Sequence, residues 1–277
     1  NWFPTCPLMH LKQGTFHGHA DSLPFTQLPK ATFKVDGELP KNLTVTQAAQ
    51  RIGAYQLPAV WFPYRKMGMS TTDILADSTQ GKFGPFAGQL FCGEFTMSFV
   101  SRVFLEKVNG EYQGACFRFR DGLDCAALRL QWGADGSMYI GQSNRGWNSL
   151  GTKSYGLQRL QWTGKVPFEI KTMSARPDGF VLTFTQRVDS RTATNPKSYL
   201  LSSYTYPYHS KYGGEEIDVK TLTVKSVTLD AAKQSVHLKI DGLRAGYVHE
   251  LHADGVKDPK GQPLLHKAVY YTLNRIP

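Results

Sequence analysis

Arginine, asparagine and tryptophan recur in this sequence at loop positions beside short apolar strands, where they could meet a ligand. The group with the most chemistry is Asn144, Arg145 and Trp147, with Arg129 fifteen residues before it. Glu94 and Thr96 follow an earlier strand, and Arg65, Lys66 and Thr72, then Asp121 and Asp124, flank the same strands. Arg offers a planar fork to carboxylates and Trp a flat face for stacking, so together they suit an anionic, planar or sugar-like ligand. The same groups could instead hydrogen-bond neighbouring loops and form ion pairs between sheets, and both readings stay open.

Other constellations carry less. His17 and His19 would share one face of a strand, with His10 as a third donor, which is a start towards a Cu or Zn site. No carboxylate or Cys stands at a supporting spacing and Gly18 suggests a turn, so no metal is assigned. His249 and His252 are three apart and would point to opposite faces of a strand, a structural arrangement. The turn at Asp254-Gly255, Asp258-Pro259 and Gly261 has too few carboxylates for Ca²⁺. Tyr204, Tyr206, Tyr208 and Tyr212, with His209 and Lys211, could stack on sugar or dock against another part of the molecule; docking suits their apolar rings and polar tips better. Nucleophile elbow, P-loop, dinucleotide fingerprint and haem-attachment motifs are absent, and no catalytic residue is assigned.

The elements that must position these groups are short strands. The 277 residues are 41% hydrophobic and 19% charged, enough to bury a core, and 26 Gly, 15 Pro and 29 Tyr plus Phe favour strands joined by tight turns. The net charge of +10 comes from 32 Lys and Arg dispersed along the chain, without the stripe of a nucleic-acid binder; adsorption to acidic polymers or an anionic surface fits equally well. No apolar stretch is long enough to span a bilayer, and Asn1-Trp2-Phe3-Pro4 does not begin a signal peptide. The sequence is therefore expected to start after processing or within a longer protein. Cys6, Cys92, Cys116 and Cys125 lack zinc spacing and would be either disulfides or buried thiols.

Residues 1–57 are irregular, with weak helical character at Gln47–Ile52. Two similar units follow. In the first, Ser70–Ala76 precedes Gly88–Gly93, Ser101–Leu105 and Ala115–Phe119; in the second, Ala127–Trp132 precedes Gly136–Gly141, Gln158–Trp162 and Pro167–Met173. Their offset of about fifty residues suits one four-stranded propeller blade each. Two blades cannot close a ring, so a further N-terminal segment or a partner chain is expected to supply the others. Beyond Pro167 come six or seven short strands bounded by Gly, Pro or Asp, the pattern of an immunoglobulin-like sandwich without its Cys and Trp core. The expected fold is all-β, with partial β-propeller blades over residues 1–165 and an Ig-like β-sandwich over residues 166–277.

Several stretches resemble one family: Trp2–His10 with Gly14–His19, Gly81–Phe91, Gly141–Trp147 and Tyr270–Pro277. They are similar to the C-terminal half of secreted bacterial proteins related to the soluble quinoprotein (PQQ-dependent) glucose and sorbosone dehydrogenases. The resemblance implies a six-bladed propeller with pyrroloquinoline quinone and Ca²⁺ at its top and a His base, the base and the Ca²⁺ ligands lying upstream of this chain. It also implies a Lys and an Arg pair gripping the quinone, at positions that fall near Thr96, Ala126 and Leu128, with Arg129 one residue away. Either Arg129 takes over that role through a shifted register, or this lineage does not hold the quinone in that way.

The function expected is thus the C-terminal part of a quinoprotein sugar or alcohol dehydrogenase-like oxidoreductase, inactive by itself, secreted or periplasmic, with cytochrome c as a possible partner and carbohydrate as substrate. Its cofactor-binding candidates are Arg129, Asn144, Arg145, Trp147, Thr96 and Glu94. The competing expectation is a non-catalytic carbohydrate-binding or redox-complex assembly module. Neither involves nucleic acid or a membrane span.

Overall fold

The structure is a computed structural model that describes residues 3–35 and 39–277; Trp2, which opens the first family-like motif, lies outside the described residues. It is all-β, 42% strand and 8% helix, with antiparallel sheets, none of them closed.

The irregular N-terminal region is anchored by a short ladder between β1 (Cys6–Leu8) and β2 (Val60–Phe62). A 3₁₀ turn at Ala20–Gln27 and helix α1 (Val45–Arg51) lie between them. Thr44 and Gln47 cap α1 reciprocally, side chain to backbone in both directions, so the helix starts two residues before the apolar pattern suggests.

The first repeat unit forms a four-stranded antiparallel meander, β3 (Thr71–Ala76), β4 (Leu90–Glu94), β5 (Phe99–Val108) and β6 (Glu111–Arg120). The second forms a three-stranded meander, β7 (Ala127–Trp132), β8 (Met138–Ser143) and β9 (Tyr155–Leu160). The two pack together through Phe83, Phe91, Val100, Leu130, Met138 and Ile140. Only the inner face of the second meander is covered. On its outer face Leu157 is 72% and Tyr155 79% exposed, while Met138 and Ile140 on the inner face are fully buried.

The expected fourth strand of the second unit goes elsewhere. Strand β10 (Ile170–Arg176) pairs with β11 (Gly179–Phe184) across the turn at Pro177-Asp178, not with β9. A tight turn beside the strand end costs less chain entropy than a return to β9, and the local hairpin prevails. The chain continues through a short helix α2 (Ser190–Ala193) to β12 (Leu200–Thr205), β13 (Ile217–Leu229), β14 (Ser235–Asp241), β15 (Tyr247–His252) and β16 (Ala268–Leu273). The long strand β13 serves two layers: its first half pairs with β12 and its second with β14, with a register shift at Val224/Ser226. Between the layers lies a core that includes Phe180, Leu182, Leu238, Leu251, Val269 and Tyr271.

Hydrogen bonding is continuous across residue 165, because β16 pairs with β6 at Tyr270–Cys116 and Tyr271–Ala115. Tyr204 and Tyr206 are fully buried in a core with Trp61, Phe62, Phe99 and Val248. The tyrosine strip therefore docks against the first part of the chain. All four cysteines are buried and free.

Candidate functional site

Four loops converge at one end of the two meanders: the segment before β3, the β4–β5 turn, the β6–β7 loop and the β8–β9 loop. They enclose a depression of about 460 Å³, bordered by Arg65, Thr96, Arg118, Asp121 and Leu150. Three sequence candidates, Arg65, Thr96 and Asp121, are brought together here.

The loops are held by backbone hydrogen bonds to few groups. Glu94, 1% exposed at the end of β4, accepts the backbone N–H groups of Met69, Ser70 and Met97, joining the segment before β3 to the β4–β5 turn. Burial lifts its carboxyl above the ordinary range, while the three N–H donors and the Arg118 charge pull the other way. Glu94 thus positions the rim from beneath. The Leu150 N–H donates to the Thr96 carbonyl at 2.8 Å and the Gly151 N–H to the Ser98 hydroxyl at 3.1 Å, tying the second meander's loop to the first. A Cβ at Gly151 would stand 2.4 Å from the Cys125 Cα and 2.5 Å from the Asp124 carbonyl oxygen, so only glycine allows this approach.

The cations bordering the depression differ. Arg118 pairs with Asp121 at 2.6 Å and lies 3.8 Å over the Phe99 ring. Arg65 has left-handed backbone (φ 60°) and rests over the Tyr64 ring at 5.1 Å; among the described residues no carboxylate pairs with it. Arg118 was not a sequence candidate. It lies inside a strand, and only its place near the end of β6 beside Asp121 could have marked it.

The other candidates are placed as follows. Asn144 braces its own loop and ties it to the β6–β7 loop: its Oδ1 accepts from Ala126 N–H (3.2 Å) and the Ser149 hydroxyl (2.7 Å), and its Nδ2 donates to the Gly151 and Lys153 carbonyls. Arg145 and Trp147 are exposed on that loop, Trp147 by 78%. Thr72 donates to the Ala127 carbonyl at 2.9 Å, and Asp124 pairs with Lys153 at the same distance. Lys66 turns away from the rim to Glu250 (2.6 Å) and Glu216 (2.8 Å), an ion cluster joining the first part of the chain to β15. His10 packs edge-on against Tyr112, His17 meets the Thr15 hydroxyl and His19 lies edge-on to Phe3. Among the described residues no group of three His, Cys, Asp or Glu is arranged to hold a metal, and no helix is long and apolar enough to cross a membrane.

The quinone grip that the resemblance implies can be tested on these positions. Thr96 borders the depression without a charge, Ala126 is buried, and Leu128 carries none. Arg129 stands opposite Gly141 on the outer face of the three-stranded sheet, exposed, with its guanidinium donating to the Leu128 carbonyl at 3.3 Å, and it borders no part of the depression. These residues do not fit the expected grip, and no step through a quinone is derived from them.

No family model matches the chain. No curated protein matches it either. Among solved structures, the crystal structure of the N-terminal part of the bacterial S-layer protein SbsC aligns at 21% identity and a TM-score of 0.31, over 40% of this chain and 25% of that one. A likeness at that score carries no argument about fold or function.

Proposed function

We propose that this chain is the binding and assembly section of a propeller-type protein, resembling the C-terminal part of secreted quinoprotein dehydrogenases, with no redox step carried by its own residues. In this reading the two meanders are blades, the C-terminal unit is an Ig-like sandwich, and further sheets cover the open face around Tyr155 and Leu157. The rim depression receives a small ligand bearing a carboxylate. One observation carries the proposal: Arg65 is presented to the depression with no carboxylate partner among the described residues, on backbone that is unfavourable for a β-carbon. A guanidinium so placed is free to grip a carboxylate with two parallel N–H donors.

The test is isothermal titration of the chain with galacturonate and with galactose. Galacturonate is expected to bind, galactose to bind at least about tenfold more weakly, and Arg65→Ala to remove the difference. Equal affinity for both sugars, or an unchanged preference in Arg65→Ala, would sink the proposal. Addition of PQQ and Ca²⁺ with sugar and a dye acceptor is expected to give no turnover; sugar oxidation would return the site to the oxidoreductase reading.

A further inference from the structure

We infer that the rim depression is one station of a longer groove that takes a linear acidic oligosaccharide, its second station being the depression within the β8–β9 loop. The inference deepens the reading above and rests on it. The second depression, of about 660 Å³, is bordered by Ser143, Arg145, Ser149, Thr152, Lys153 and Tyr155. Gly151 borders both depressions, and Leu150 on the rim side is held by the Thr96 carbonyl, so they adjoin across one short piece of fixed backbone.

The acids near this path already have partners. Asp121 and Asp124 are paired with Arg118 and Lys153, and buried Glu94 accepts three backbone N–H groups. No acidic residue borders the second depression, and among the described residues neither Arg65 nor Arg145 has a carboxylate partner. Two guanidinium groups thus remain, one at each station, matching a polymer with a carboxylate on successive units. The second depression is rich in hydroxyls, from Ser143, Ser149, Thr152 and Ser154, which suits sugar hydroxyls, while Met69, Met97, Leu123 and Leu150 give the rim depression apolar wall for a pyranose face. Beside the second depression Trp147 is 78% exposed. A large ring left in water at the edge of a polar groove is a platform for the apolar face of a pyranose ring.

Calorimetric titration of the whole chain with mono-, di- and trigalacturonate, and with the matching neutral galactose oligomers, tests the groove. Affinity is expected to rise at least about tenfold from monomer to trimer, and to fall as salt is raised. Trp147→Ala and Arg145→Ala should erase that rise while leaving the monomer's affinity and the thermal midpoint unchanged, since both side chains are exposed. Arg65→Ala should weaken every length. Affinity that does not grow with length, while the monomer remains sensitive to Arg65→Ala, would overturn the groove and leave the rim site standing. Loss of all acidic-sugar binding would overturn both. Neutral oligomers binding as tightly, or sedimentation with phosphatidylserine vesicles in preference to trigalacturonate, would also overturn the groove.

Discussion

The rim and the junction between the meanders and the sandwich use the same side chains, arginine and lysine beside aromatic rings, to opposite ends. At the junction, Arg102 of β5 is fully buried between the Phe86 and Phe117 rings, each 4.1 Å away, and donates to the Gln89 side chain and to the Lys171 and Ile170 carbonyls. Lys66 is enclosed by Glu216 and Glu250, with Tyr204 beneath it at 5.2 Å. At the rim Arg65, and on the neighbouring β8–β9 loop Arg145, meet no carboxylate among the described residues, and Trp147 meets solvent. Residue type therefore does not separate structural from binding arginines here. What separates them is whether the fold has already supplied acceptors.

That contrast can be broken most forcefully at Arg102. Desolvation pulls its pKa down to about 9, against the opposing charge of Glu169. Arg102→Ala would remove three hydrogen bonds and leave a cavity between two phenylalanines, so a loss of about 3–5 kcal/mol is expected in urea denaturation. A loss below about 1 kcal/mol would show that the junction does not depend on it.

Acid is expected to act next most strongly, through His249. This ring is fully buried against Phe180, and burial pushes its pKa down to about 3. The unfolded chain binds a proton below about pH 6.5 that the folded chain refuses, so stability falls as pH drops from about 6.5 towards 3, by about 1.4 kcal/mol per pH unit. His252 has the opposite sign. Its hydrogen bond to Glu250 raises its pKa, so its contribution is complete below about pH 6.5 and is lost as pH rises through the folded value. Denaturation midpoints across pH should therefore lose one proton's slope on the acid side in His249→Leu; an unchanged slope would assign the acid response to other groups.

Smaller effects separate the two lysine and arginine environments. In the Lys66 cluster, burial alone would lower the lysine pKa, but Glu216 and Glu250 hold it above its ordinary value. The side chain is over a third exposed, so after allowance for screening Lys66→Ala is expected to cost only about 1 kcal/mol by thermal denaturation. Arg65→Ala should change stability by less than about 0.5 kcal/mol. Equal losses at Lys66 and Arg65 would erase the distinction between junction and rim.

The strands were legible because alternation and turn residues are local signals. Ala127–Trp132 matches β7 residue for residue, and Ser235–Ile240 falls within β14. The partners of those strands were not legible. That β16 pairs with β6, or that β10 leaves the second meander for β11, depends on contacts far apart in sequence or on competition between two plausible neighbours. The rim was legible in outline, since loops before first strands and after second strands do meet there. Its chemistry was less so. Arg129 lies on a strand pattern that cannot report the bulge at Ala127/Arg129 or the face it ends on. Glu94 carries a charge like any exposed glutamate, and only the three N–H groups that converge on it show that it braces the loops. Asn144 is spent on three bonds within its loop and one to the backbone just before β7, which spacing could not show.

The most direct measurement is a titration of the chain with galacturonate, followed by the arginine side-chain N–H resonances in ¹⁵N-resolved NMR. The Arg65 resonance should move saturably, while that of Arg102, already enclosed by fixed acceptors, stays in place. An Arg65 resonance that does not move, or moves no more with galacturonate than with galactose, would contradict the account.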